Sequence, residues 1–215
     1  MIKKHAITLV TAIICFIAMP LHAQTEVKFN MATAALLIPN VGIEIPISNH
    51  SSVQLDVLGS FWDSFNGDPL QIIQVFPEYR YYLKPERSGL FVGGHVGFGM
   101  FTMQKPGYLV LYDKYTVGSP YNKKQADGSY ESGRVTFYGL TLGYKHWLND
   151  RWGLELFVGG GLSQSNYKGY SRLERIDVGE ENYRDFNGSG EVLLYRGGLM
   201  LVYKLKGVRT IGIRD

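Results

Sequence analysis

The chain has 215 residues and a formal net charge of +3, from 22 Lys and Arg against 19 Asp and Glu. A charge so small and so evenly spread argues against nucleic-acid binding, and the length allows one or two domains. The single cysteine, Cys15, falls in a leader-like segment, so neither a disulfide scaffold nor a thiolate metal site is expected.

Residues 1–23 read as a signal peptide. Lys3, Lys4 and His5 form a basic start, Ala6–Met19 an apolar core, and Leu21-His22-Ala23 a cleavage site with an oversized Leu21. The rival reading, a lipoprotein signal acylated at Cys15, places Ile14 where a small residue belongs. No later stretch reaches the roughly 18 apolar residues of a membrane helix. Residues 24–205 are expected to form one domain, followed by a short tail, 206–215.

From Val27 onward apolar residues alternate with small or polar ones, the period of a strand. The first strand, Val27–Leu37, places Val27 and Phe29 on one face and Lys28 and Asn30 on the other. Ile38-Pro39-Asn40 is a turn. The second, Val41–Ile47, carries Val41, Ile43, Ile45 and Ile47 outward and Glu44 inward. The third, Ser52–Trp62, sends Val53, Leu55, Val57 and Phe61 out and Gln54, Asp56 and Ser60 in. The fourth, Leu70–Leu83, has Ile73, Val75, Tyr79 and Tyr81 out, with Gln74, Glu78, Arg80 and Tyr82 in. The fifth, Gly89–Met103, has Leu90, Val92, Val96, Phe98 and Met100 out, with Phe91, Gly93, His95, Gly97 and Gly99 in.

A hairpin over Val135–Leu162, turning at Leu148–Arg151, supplies the sixth and seventh strands. Tyr144 and Trp152 share the greasy face; Lys145 and Glu155 are the charges among small residues on the other. The eighth, Glu191–Leu205, has Leu193, Tyr195, Leu199, Leu201 and Tyr203 out and Arg196, Met200 and Lys204 in. Short turns at 48–51, 84–88 and 148–151 lie at one end. The loops 63–69, 104–133 and 163–190 lie at the other, with the Pro39 turn. Greasy outside and charged inside, with loops sorted by length, is the pattern of an eight-stranded antiparallel up-and-down transmembrane β-barrel in a bacterial outer membrane. Tyr79, Tyr81, Tyr144, Trp152 and Tyr203 then form an aromatic girdle near the short-turn end. A soluble lipocalin-like barrel or sandwich is the competing architecture, since alternation alone does not say which face meets solvent.

The segments PNVGIEI, FPEYRYYL, GLFVGGHVGFG, GYKHWLNDRWGLELFVGGG and YRGGLMLVYKL resemble domain of unknown function 3575, across nearly the whole chain after residue 23. This family comprises small outer-membrane barrels of Bacteroides-type Gram-negative bacteria. The resemblance implies an outer-membrane barrel; it implies no enzyme activity and no catalytic residues.

The inward charges Lys28, Glu44, Asp56, Glu78, Arg80, Lys145, Glu155, Arg196 and Lys204, with His95, are expected to form an ion network that plugs the lumen. A gated ion path is the sharper alternative. A catalytic or metal role for His95 with Glu78 and Asp56 is less natural than membership of that network. His50 and His146 lack the partners of a Ser/His/Asp site. No glycine run has the Lys-Ser/Thr ending of a phosphate loop, and no cofactor or metal is expected. Binding is expected in the outer loops, at Tyr108, Tyr112, Tyr115, Tyr121 and Lys123 of one, and Arg172 and Arg175 of another. The partners are then outer-membrane lipids and lipopolysaccharide, with an extracellular glycan or protein as a further candidate. The functional expectation is a structural or surface-interaction protein; a lipid-A- or phospholipid-modifying barrel enzyme and a narrow pore are the alternatives.

Overall fold

The computed structural model describes residues 25–64, 67–104, 129–171, 174–175 and 191–205. Among these residues nine strands run in chain order: β1 (Glu26–Asn30), β2 (Asn40–Pro46), β3 (Ser51–Asp63), β4 (Pro69–Lys84), β5 (Ser88–Met103), β6 (Ser129–Trp147), β7 (Trp152–Ser171), the two-residue β8 (Glu174–Arg175) and β9 (Glu191–Lys204). Each of β1 to β7 pairs antiparallel with the next, and β9 pairs with both β7 and β1. The sheet therefore closes on itself, with β8 only lengthening the β7 edge. Counting β1 to β7 and β9, the result is a closed eight-stranded, all-antiparallel up-and-down barrel.

Local chemistry explains the tight end. Asn149 Oδ1 accepts from the backbone N–H groups of Arg151 and Trp152, both at 2.9 Å, closing the β6–β7 turn. Ser48 Oγ does the same for His50 and Ser51 between β2 and β3. A single 3-10 turn, Pro85–Arg87, joins β4 to β5.

Three features correct the sequence-based expectations. Val27–Leu37 is not one strand: β1 ends at Asn30 and a helix follows over Met31–Ala35. Asn30 is the cause. Its Oδ1 accepts from Ala32 N and Thr33 N, a helix N-cap, and the Ala-rich segment that follows has high helix propensity. Its Nδ2 donates to Asn40 Oδ1 and to Gly197 O, both at 3.2 Å, which ties the cap into the wall. Gly198, at φ +151°, leaves the space that the Asn30 side chain fills.

The second correction concerns β9. Its register against β7 shifts between Gly159 and Gly160: Gly159 faces Arg196 but Gly160 faces Leu194, leaving Tyr195 as an extra residue. This β-bulge turns Tyr195 and Leu193 inward, where outward positions were expected, and sends Val192 and Leu194 to the outer face. Alternation carries no mark of such an insertion.

The third concerns length. The strands β6 and β7 are 19 and 20 residues long, about twice the 9–11 that cross a bilayer. They absorb Ser129–Gly133 and Ser163–Ser171, which were expected to be loop.

The outer surface is apolar around the whole circumference. Phe29 on β1, Ile43 on β2, Leu55 on β3, Val92 on β5, Leu140 on β6, Leu156 on β7 and Leu194 on β9 are all exposed, and Leu140 is 73% exposed. The described helix is too short to cross a membrane, a fact that does not bear on strands. Inside, Tyr82, Phe91, Phe157, Met200 and Val202 pack together near the tight end.

Candidate functional site

Alternation delivers one or two charged side chains from each of β1, β2, β3, β4, β6, β7 and β9 into the lower lumen, where they meet in layers. In the layer nearest the tight turns, Lys145 Nζ donates to Glu26 Oε2 at 2.7 Å and to Glu44 Oε2 at 3.0 Å. Glu44 is the hub. It also pairs with Lys28, receives the Tyr82 hydroxyl at 2.7 Å and bonds the Ser52 hydroxyl. Lys28 Nζ reaches on to Glu155 Oε2 at 2.5 Å.

Arg80 carries the chain of pairs upward. Its Nη1 donates to Glu155 Oε1 at 2.7 Å and its Nε to Glu78 Oε1 at 2.8 Å. Arg196 Nη1 then donates to Glu78 Oε2 at 2.6 Å, and its Nη2 pairs with Asp56. Gln54 Nε2 donates to the same Asp56 carboxylate at 2.7 Å. Glu26, Lys28, Glu44, Arg80, Lys145 and Glu155 are fully buried.

Ring faces complete the packing. Arg80 lies 4.5 Å from the Phe91 ring centre, Lys145 4.6 Å from that of Tyr82, and Arg196 4.7 Å from that of Phe76. Buried charges are costly unless paired and hydrogen-bonded, and here almost every charge has two opposite partners. The arrangement is a plug of paired charges across the lumen.

Two residues expected in this network stand differently. His95 points inward, but its Nδ1 bonds the Thr141 hydroxyl at 3.0 Å and its Nε2 the Tyr195 hydroxyl at 2.6 Å. The bulge that turns Tyr195 inward supplies the partner. Lys204 lies at the lumen's rim, its ammonium 3.6 Å from the Trp147 ring centre. Strand β9 ends there, so the side chain does not reach the paired carboxylates. Glu26 was missed because the first strand starts one residue earlier than the alternation indicated; its register partners Glu44 and Lys204 place it inside. The signal was present, since Glu26 shares the parity of Lys28.

Of the residues expected to form a girdle, Tyr79, Tyr81, Tyr144 and Trp152 are exposed on the outer face, and Tyr203 packs on Trp152 with ring centres 4.7 Å apart. His50 stacks on Tyr81. The loop candidates Tyr108, Tyr112, Tyr115, Tyr121, Lys123 and Arg172 lie outside the described residues. Arg175 pairs its backbone with Tyr170. Among the described residues no group of three or more His, Cys, Asp or Glu side chains is set to hold a metal ion.

A closed barrel with a charge-plugged lumen and an apolar outer wall defines the class: a small antiparallel β-barrel turned inside out relative to a protein with an apolar core. Within that class the chain belongs to the family described as protein of unknown function (DUF3575), which it matches over residues 7–205. No curated protein and no solved structure matches the chain.

Proposed function

We propose that this protein is an outer-membrane barrel of a Gram-negative envelope. On this reading residues 1–23 are its signal peptide, its role is structural or surface-interacting, and it is not an enzyme. The observation that carries the reading is the inversion of the two faces. Leucine, isoleucine, valine and phenylalanine side chains stand exposed on the outer wall, while carboxylates, ammonium groups and guanidinium groups are buried inside. In water an apolar belt of this extent drives aggregation; in a bilayer it is the solvated surface. Tyr79, Tyr81, Tyr144 and Trp152, gathered toward the tight-turn end, support placing that end at an interface.

The paired plug supports a closed lumen and disfavours a pore. Strands β6 and β7 run on well past a bilayer's thickness, which favours recognition at the long-loop end, by Tyr108–Tyr121, Lys123, Arg172 and Arg175. A glycan, a protein or lipopolysaccharide phosphate suits that mixture of tyrosine and base.

The test is cell fractionation with gel electrophoresis of boiled and unboiled samples. The protein should partition with outer membranes, require detergent and migrate faster when unboiled. Recovery in the soluble periplasmic fraction without detergent would overturn the reading.

A further inference from the structure

Above the ion plug the lumen does not stay filled. A cavity of about 810 Å³ occupies the half of the barrel toward the long-loop end. Its volume lies within the roughly 300–1,000 Å³ of small-molecule sites. Its walls are apolar, with Leu58, Ile72, Phe76, Phe137 and Leu193 facing in from β3, β4, β6 and β9. Asp56 and Arg196 of the plug form its floor.

We infer that this cavity binds a small, elongated apolar molecule that ends in an uncharged hydrogen-bonding group, with the Tyr195 hydroxyl as its polar anchor. The bulge in β9 is what brings Tyr195 into the lumen. Bulges recur where a fold re-aims a side chain at a ligand. Gly139 opposite leaves the room: a Cβ there would collide with the Tyr195 hydroxyl and with Gly160 O. The ring of Tyr195 is held by Phe137, with centres 4.5 Å apart, and stacks on Phe76 at 6.1 Å. Its hydroxyl bonds His95 Nε2, and a phenol with one hydrogen bond keeps capacity for a second.

Charge decides the class of polar end. Arg196, the one basic side chain among the described lining residues, already serves Glu78 and Asp56. A carboxylate or phosphate would find no uncommitted cation among the described lining residues. A hydroxyl or amide meets Tyr195 at no such cost.

The experiment uses the full folded chain in amphipol, free of detergent monomers, with isotope-labelled Ile and Leu methyl groups. The probe is 1-octanol, followed by NMR. Saturable shifts should appear at Ile72, Leu58 and Leu193, and not at the outward Leu140 and Leu156. Two fillers from different walls, Ile72→Trp and Leu193→Trp, should each abolish saturation, so that a folding failure of one leaves the other. Outward Val192→Trp should leave it intact. Tyr195→Phe should weaken octanol about two- to tenfold. Octanoate should bind about tenfold or more weakly than octanol. Shifts that never saturate, or that persist in both fillers, would overturn the site. Octanoate binding as tightly as octanol would overturn the ligand class, and an unchanged Tyr195→Phe affinity would overturn the anchor.

Discussion

Arg80 on β4 and Glu155 on β7 meet across the lumen at 2.7 Å, although 75 positions separate them in the chain. Each is fully buried, and each has a second partner: Glu78 for the arginine, Lys28 for the carboxylate. The two residues thus join the upper and lower layers of the plug. Removing one member of a buried pair leaves an uncompensated charge, at a cost of about 3–5 kcal/mol. Glu155→Ala and Arg80→Ala should each destabilise the barrel by about that much in urea unfolding, and the double variant by clearly less than their sum. Strict additivity would mean that the pair is not coupled.

The proposed lipid-facing wall makes a prediction at Leu140, the most exposed of the large apolar side chains among the described residues. Leu140→Arg in a bilayer-embedded barrel should cost about 2–4 kcal/mol. On a wall facing water the same change should lie within about 0.5 kcal/mol of neutral. Urea unfolding in lipid vesicles reads the difference.

Glycines on the two faces of β5 should differ sharply. A Cβ at Gly97 would run into the Phe76 ring, with Phe137 at 3.0 Å behind it, whereas a Cβ at Gly94 meets nothing within 4 Å. Gly97→Ala should destabilise by about 1–3 kcal/mol through overpacking. Gly94→Ala should be neutral or slightly stabilising, because alanine restricts the unfolded chain. Thermal melts of the two variants side by side check the contrast.

Topology follows from the placement of turns and long connections. Epitope tags inserted at Lys123 and at Glu181 should be reached by antibody on intact cells, and a tag at Asn149 only after the envelope is opened. Labelling at Asn149 alone would invert the orientation and move any binding surface to the other side of the membrane.

A sealed plug also sets an electrical expectation. In planar bilayers the wild-type barrel should show no steady conductance, because Glu44, Lys28, Glu155 and Arg80 are fully buried and paired across the lumen. Regular single-channel steps would show that the pairs open.

Period-two alternation was enough to assign the facing of Glu44, Asp56, Glu78, Arg80, Lys145, Glu155 and Arg196. The reason is local: each pleat sets a side chain's direction from its immediate neighbours. The turn chemistry of Asn149 and Ser48 was equally local. The partner of each charge was not legible, because Lys28 finds Glu155 only when the sheet has closed and β9 has joined β1. Asn30 ended a strand that alternation carried to Leu37; that cap is local, to Ala32 N and Thr33 N, and was there to be read, while Asn40 and the backbone of Gly197 only tie it into the wall. Tyr195 reversed its face for a reason that is not local. A bulge is a mismatch between two strands, here β7 and β9, and a single strand read alone contains nothing to announce it. The sequence by itself determined which residues face the lumen over most of the wall; tertiary structure decided how they pair, where the plug ends and where the cavity begins. Side-chain direction is a property of one strand, whereas pairing, register and enclosed volume are properties of the closed barrel.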